Sequence, residues 1–360
     1  MDPADKPRGA NFTHVAHLFD THHLLYFKLH NHSGCYSEKI ISKLMSEIKK
    51  AEPEIEAITP NFLSSIEEIE ALSESDILKK WNLLSPPGGI DAENASLSIT
   101  PNQVNSTVAV LDGGVLSHDA LNPNILPGVH FTDANQAGID ASPSCMDCAG
   151  FDHGTRVAGI VSSIANSTDS KILPINVFTK FTDTETCGFP PCLYSYFSDQ
   201  LNAMRWLAGE YFSDLPAAPK NIVAMNMSLG ATSRCPDIAQ KIIAKVHQKG
   251  LSIIAAAGNQ NRAAVRTYPA NCPGVISVAA TGYYGERASY SNWGEAVSIA
   301  APGGSGRHSI YSLTENGYSN KQGTSFSAPH VSGVIALLYL INPALTRDEA
   351  EQIILSKDAV

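Results

Sequence analysis

Gly323-Thr324-Ser325-Phe326-Ser327-Ala328-Pro329-His330 sets a serine on a glycine turn and then runs into an apolar segment, Val331 to Ile341. A hydroxyl at a helix start can be presented to a substrate while the helix behind it is fixed in a core. Proline deep in a helix is normally a defect. Near the start, where the first N–H groups lack partners anyway, its missing N–H costs little. The reading predicts a long helix over Ser325–Ile341 with a hydroxyl at its head.

Upstream of that helix, apolar runs and helical patterns alternate from Thr107 onward. Strands are predicted at Val108–Leu111, Ile172–Phe178, Ile222–Met227, Ser252–Ala257 and Val275–Ala279. Helices are predicted at Gly154–Ile164, Leu201–Gly209 and Ile238–Lys249. Short, wholly apolar strands separated by helices predict an α/β fold class, a mostly parallel sheet flanked by helices on both faces. No internal repeat and no low-complexity segment interrupts it.

Residues 12–66 read as a small α+β unit preceding that sheet. His23–His30 alternates like a strand, and Ser37–Ala51 carries Ile40, Ile41, Leu44, Met45 and Ile48 at helical spacing. Pro53–Thr59 reads as a short extended stretch. An acidic, polar stretch and then Pro86-Pro87-Gly88-Gly89 give a linker. The expected organisation is 12–66, then 67–106 as linker and start of the next domain, then 107–360.

The 360 residues suffice for one large domain plus an appendage. Only 17% are charged and the net charge is −10, which argues against nucleic acid or an anionic membrane as main partner. No apolar run reaches the roughly 18 to 20 residues of a membrane span. Met1–Asn11 lacks the apolar core of a signal peptide, so the expectation is either a removed leader or a chain not exported by that route. Of seven cysteines, six (Cys145, Cys148, Cys187, Cys192, Cys235, Cys272) fall after residue 107, and Cys35 is left over. An even set favours disulfides and an oxidising compartment.

Three further positions carry chemistry. Asp112 ends the run Val108-Ala-Val-Leu-Asp112, at the carboxyl edge of a parallel strand where α/β folds place functional groups; the plain alternative is a turn aspartate. His153 opens a helix of small residues, and otherwise reads as a cap or a surface histidine. Asn259 follows Ile253-Ile-Ala-Ala-Ala-Gly258 with an amide able to donate outward, and otherwise reads as a turn asparagine.

Taken together, Asp112, His153, Asn259 and Ser325 resemble the subtilisin-like serine peptidases, the subtilase family. The order Asp, His, Ser along the chain is that of subtilisin. The likeness spans roughly residues 81–357. It runs through VAVLDGGV (108–115), HGTRVAGIV (153–161), NMSLG (226–230), AAAGN (255–259) and GTSFSAPHVSG (323–333), with RASYSNWG (287–294) and SIAAPGG (298–304) beside them.

The resemblance implies a serine endopeptidase working through an acyl-enzyme, with Ser325 as nucleophile, His153 as base and Asp112 as its orienting carboxylate. Asn259 and the Ser325 N–H would bind the oxyanion. Ser228, Leu229 and Gly230 would form one wall of the primary pocket and pair with substrate backbone, and Ala256 to Gly258 another. Residues 12–66 would be a shortened propeptide, folding aid and inhibitor, which makes the chain a zymogen. Protein or peptide substrates, a monomer, a secreted or periplasmic location and no cofactor for catalysis follow. The alternative is a catalytically inactive relative that only holds peptides.

Departures accompany the likeness. Gly113 stands where a small hydroxyl residue is usual, Phe326 where methionine is usual, and Arg156 where histidine is usual. A cation at 156, buried near His153, is expected to depress the imidazole pKa. Ser162–Lys171 leads straight into the strand at Ile172, so the loop that binds calcium in part of the family is expected to be absent, and no metal is assigned. Thr179–Tyr196 is a longer insertion than in minimal subtilases, near the distal substrate subsites. Family usage favours Cys235–Cys272 as a disulfide. Cross-links between Cys145 or Cys148 and Cys187 or Cys192 are expected over self-closure of either pair, with a four-thiolate zinc site as the alternative.

Overall fold

The computed structural model describes residues 10–18, 22–29, 80–85, 87–96, 105–132, 136–148, 150–165, 169–182, 184 and 190–356. The chain separates into two compact units, Met1–Ala71 and Leu72–Val360.

In the first unit, β1 (Ala10–Leu18) pairs antiparallel with β2 (His22–Leu29). β2 coincides with the strand expected at His23–His30. β1 escaped the sequence reading because its register slips between His14 and Ala16. A bulge changes the phase of a period-2 pattern, so no single alternation runs the length of the strand. The helix expected over Ser37–Ala51 and the extended stretch Pro53–Thr59 lie outside the described residues.

The second unit holds a short α1 (Ala92–Ser96), then β3 (Ser106–Asp112), β4 (Val129–Thr132), β5 (Gln136–Ile139) and α2 (His153–Ala165). β6 (Ser170–Asn176), β7 (Thr179–Phe181), β8 (Cys192–Tyr194) and α3 (Phe197–Leu207) follow. Next come β9 (Ile222–Met227), β10 (Ala231–Thr232), α4 (Asp237–Gln248), β11 (Ser252–Ala256), β12 (Thr267–Tyr268), β13 (Val275–Thr281) and β14 (Ile299–Pro302). The hairpin β15 (Ile310–Thr314) and β16 (Gly317–Lys321) leads into α5 (Thr324–Ile341) and α6 (Arg347–Leu355).

Eight strands form one sheet in the order β14-β13-β11-β9-β3-β6-β4-β5, parallel except for the antiparallel pair β4–β5. The central strands are buried on both faces, which explains their unbroken apolar runs. Their alternation sorts the two layers. Ala109 and Leu111 of β3 pack with α3 and α4, whereas Val108 and Val110 pack with α2 and α5. From β3 the chain builds one side of the sheet through β4, β5 and β6, and then returns to β9 to build the other. The β3/β9 boundary is thus the point where strand order reverses, a place where such sheets put their sites.

Residues 80–85 are not merely connecting chain. The Trp81 side chain is buried beside Ile160, Ile164, Ile310 and Phe326, and its Nε1 donates to Ser309 O at 3.0 Å. Helix α5 is long and apolar enough to cross a membrane by length and composition, but most of it is buried as the core helix between α2 and the sheet.

Candidate active site

Three adjacent strands end at the site. Asp112 closes β3, Ser228 follows β9, and Gly258 and Asn259 follow β11. The two helices on that face, α2 and α5, start at the same edge with His153 and Thr324-Ser325.

His153 Nδ1 lies 2.9 Å from each oxygen of Asp112, which is 2% exposed, and the Gly113 N–H donates to Asp112 Oδ1 at 2.7 Å. The approach of α2 to the end of β3 requires Gly154, since a Cβ there would lie 2.2 Å from Gly114 O. The Phe326 ring packs against His153 with centroids 5.6 Å apart. Burial opposes charging of the imidazole, but the Asp112 charge and hydrogen bond outweigh it and hold its pKa above the ordinary histidine value. The depression expected from Arg156 is present as an influence and is overcome.

At the head of α5, Pro329 is the sixth residue of the helix, deeper than the first turn expected from sequence. Its missing N–H would have bonded Ser325 O. That carbonyl accepts instead from Ser228 Oγ at 2.6 Å, while Ser325 Oγ donates to Ser228 O at 3.1 Å. The two serines thereby exchange hydrogen bonds and join the end of β9 to the head of α5. Behind them, Asn226 Nδ2 donates to Ser228 Oγ at 2.9 Å, and Ser332 Oγ of α5 donates to Asn226 Oδ1 at 3.0 Å. His330, fully buried, donates from Nδ1 to Phe326 O at 2.7 Å and accepts at Nε2 from Asn82 Nδ2 at 2.8 Å, which ties Lys80–Ser85 to the same helix.

Asn259 Oδ1 accepts from both the N–H and the hydroxyl of Thr324, each at 2.9 Å. With its oxygen committed, Asn259 has an Nδ2 with no hydrogen-bond partner among the described residues. Gly323 has φ +151°, and a Cβ on it would lie 3.4 Å from that Nδ2; glycine keeps the turn open there. The structure thus gathers Asp112, His153, Ser325, Asn259, Ser228, Leu229, Gly230, Ala256 and Gly258 at one sheet edge. Sequence reasoning missed the side-chain roles of Asn226, Ser332 and Asn82, and also of Asn292. The last, buried within the segment RASYSNWG, donates to Ala257 O and accepts from the Gln260 and Arg262 N–H groups, bracing the chain around Asn259.

A subtilase family model matches residues 104–358, more than half of the chain. The chain belongs to the subtilase family. An extracellular protease of Xanthomonas campestris is 32% identical over 339 residues, covering 84% of this subtilase and 56% of the relative. An extracellular basic protease of Dichelobacter nodosus is 34% identical over 270 residues, covering 64% and 42%. A solved protease structure from Pseudoalteromonas arctica superposes with a TM-score of 0.65 at 29% identity, over 77% of this chain and 89% of that one. The chain spans about half the length of these curated relatives. The fold is subtilisin-like: a large, mostly parallel sheet flanked by helices.

The cysteines of this subtilase correct one expectation. Cys145 and Cys148 are joined to each other, and Cys235 to Cys272. The turn at 145–148 brings the two Cα atoms to 5.4 Å, inside disulfide range, so no partner from the insertion is needed. Neither sulfur is then a thiolate ligand for zinc. Cys192, on the β7–β8 hairpin that begins the insertion, is also in a disulfide, and Cys187 lies outside the described residues.

Proposed function

We propose that this subtilase is a secreted serine endopeptidase that hydrolyses peptide bonds through an acyl-enzyme formed on Ser325. The observation that carries the reading is His153 held on both oxygens of a buried Asp112 at the edge where Ser325 emerges. His153 takes the proton of Ser325 Oγ as that oxygen attacks the scissile carbonyl, then gives it to the leaving amine. Asp112 fixes the Nδ1–H tautomer and stabilises the imidazolium. The free Nδ2 of Asn259 and the Ser325 N–H meet the developing oxyanion. Substrate adds as a strand along Ser228-Leu229-Gly230, with Ala256–Gly258 opposite. These steps use side chains and backbone alone. We assign residues 12–66 as a propeptide and the chain as a zymogen, on their small α+β composition and the β1–β2 hairpin.

The engagement of Ser325 Oγ with Ser228 O is the observation that favours an inactive, peptide-holding relative. A side-chain rotation re-aims the hydroxyl, and catalytic hydrogen bonds commonly tighten only with substrate bound. Casein hydrolysis separates the readings. Activity blocked by a serine-directed phosphonate and absent in Ser325→Ala supports the peptidase, whereas undiminished hydrolysis by Ser325→Ala rules it out.

A further inference from the structure

His153 has a second carboxylate beside it. Asp152, the residue immediately before it, faces Arg156 one turn on. The Arg156 guanidinium spans that carboxylate, Nη2 to Oδ2 at 2.8 Å and Nε to Oδ1 at 3.2 Å, and its remaining nitrogen donates to Ser319 Oγ of β16 at 2.5 Å. Ser312 Oγ of β15 donates to the Arg156 carbonyl at 2.7 Å, so the β15–β16 hairpin grips the first turn of α2 at two points. Arg156 is only 7% exposed.

We propose that the Asp152–Arg156 pair is a positioning device for His153. Arg156 neutralises and immobilises Asp152, so that the imidazole works against Asp112 alone and stays aimed along the Asp112–Ser325 line. The proposal rests on the reading of His153 as the base. A free Asp152 would offer the imidazolium a competing anion from the residue just before its helix, off the line of proton transfer. A planar fork answers both carboxylate oxygens at once, which a lysine or the histidine usual at this position does not.

Among the described residues, the charged groups that bear on His153 are Asp112 at the end of β3, Asp152 immediately before α2, and Arg156 within α2; Asp112 and Asp152 favour the imidazolium, and Arg156 opposes it. Helix α5 brings only the uncharged Phe326 ring against it. The hairpin meets α2 through the hydroxyls of Ser312 and Ser319. Tyr318 stacks on Tyr311 instead, and Lys321, two residues beyond Ser319, is exposed.

The test is the titration of His153, read by ¹⁵N NMR of its ring nitrogens and by the acid limb of kcat/KM. Arg156→Gln leaves Asp152 uncompensated, and both readouts should move to higher pH, by about one unit. Asp152→Asn leaves the cation, and both should move to lower pH. The double variant should return close to the parent. Arg156→Lys should keep the parent limb and lower kcat. Opposite-signed movements from two single substitutions are not a consequence of loosened packing. Coincidence of both single variants with the parent, or movement in the same direction, would overturn the proposal. Asp152→Asn preserves shape and an acceptor for Arg156, so if Arg156→Gln fails to fold, this variant decides: a downward move supports the pair's role and an unmoved titration refutes it. The NMR arm needs no activity, so a protein that titrates as expected but cleaves nothing contradicts the peptidase reading and leaves this one intact.

Discussion

The two helices that deliver the site are anchored by different physics. The head of α2 is held by charge: Asp112 on Nδ1 of His153, with Asp152 and Arg156 in the turn behind it. The head of α5 is held by neutral hydrogen bonds: Ser228 with Ser325, Asn259 with Thr324, and Asn82 with His330. The difference fits the work each end would do. On the proposed mechanism a proton would arrive and leave at α2, so a fixed negative charge there would lower the cost of the imidazolium. At α5 only geometry must be kept, and charge there would disturb the nucleophile and the oxyanion.

The largest break in this comparison is Ser325→Ala. Turnover should fall by about 10⁶, the size known for the nucleophile of subtilisin itself, with folding unchanged by circular dichroism. Asp112→Asn strikes the charged end next, with a loss on the order of 10⁴ in kcat as the imidazole loses its tautomer and its counter-charge. Its acid limb should also drop from above about 6.5 toward lower pH. At the neutral end, Asn259→Ala should cost about 10²–10³ in kcat with little change in KM, again a magnitude known from subtilisin. A loss there as large as at Asp112 would erase the distinction.

The smallest expected effect concerns Asn82→Ala, which strips the donor from a buried His330 and should lower stability by about 1–3 kcal/mol in urea melts of the Ser325→Ala background. That histidine also sharpens the comparison by pH. Burial pushes its pKa down to about 4, so it is neutral in the fold while the unfolded chain protonates near 6.5. Its contribution is therefore complete above about 6.5 and is lost as pH falls toward 4. Urea midpoints should decline across that window, and the decline should be smaller in His330→Asn.

The sheet's core was legible because β3, β9 and β11 are buried on both faces and spell themselves as continuous apolar runs. The hairpin β15–β16 was not, since its outer strand carries exposed, polar residues with no regular alternation. Helix α6 was missed although Thr346 and Glu349 write its capping box. At the site, Asp112, His153, Asn259 and Ser325 stood out in fixed motifs at strand and helix ends. Their supports did not, because Asn292 braces Ala257 and Arg262 from 35 and 30 residues away, and Ser332 reaches Asn226 across 106. Pro329 shows the same limit. Its position could be read from the sequence, but the hydroxyl that replaces its lost hydrogen bond comes from Ser228, across the sheet edge.

The central claim, that Ser325 is the nucleophile activated by His153, is tested most directly by labelling with a fluorophosphonate and mapping the adduct by mass spectrometry. The account predicts one adduct, on Ser325, forming at a rate that rises with pH through the elevated His153 pKa and falling to background in His153→Ala. An adduct on another residue, or labelling of Ser325 that is indifferent to His153, would contradict it.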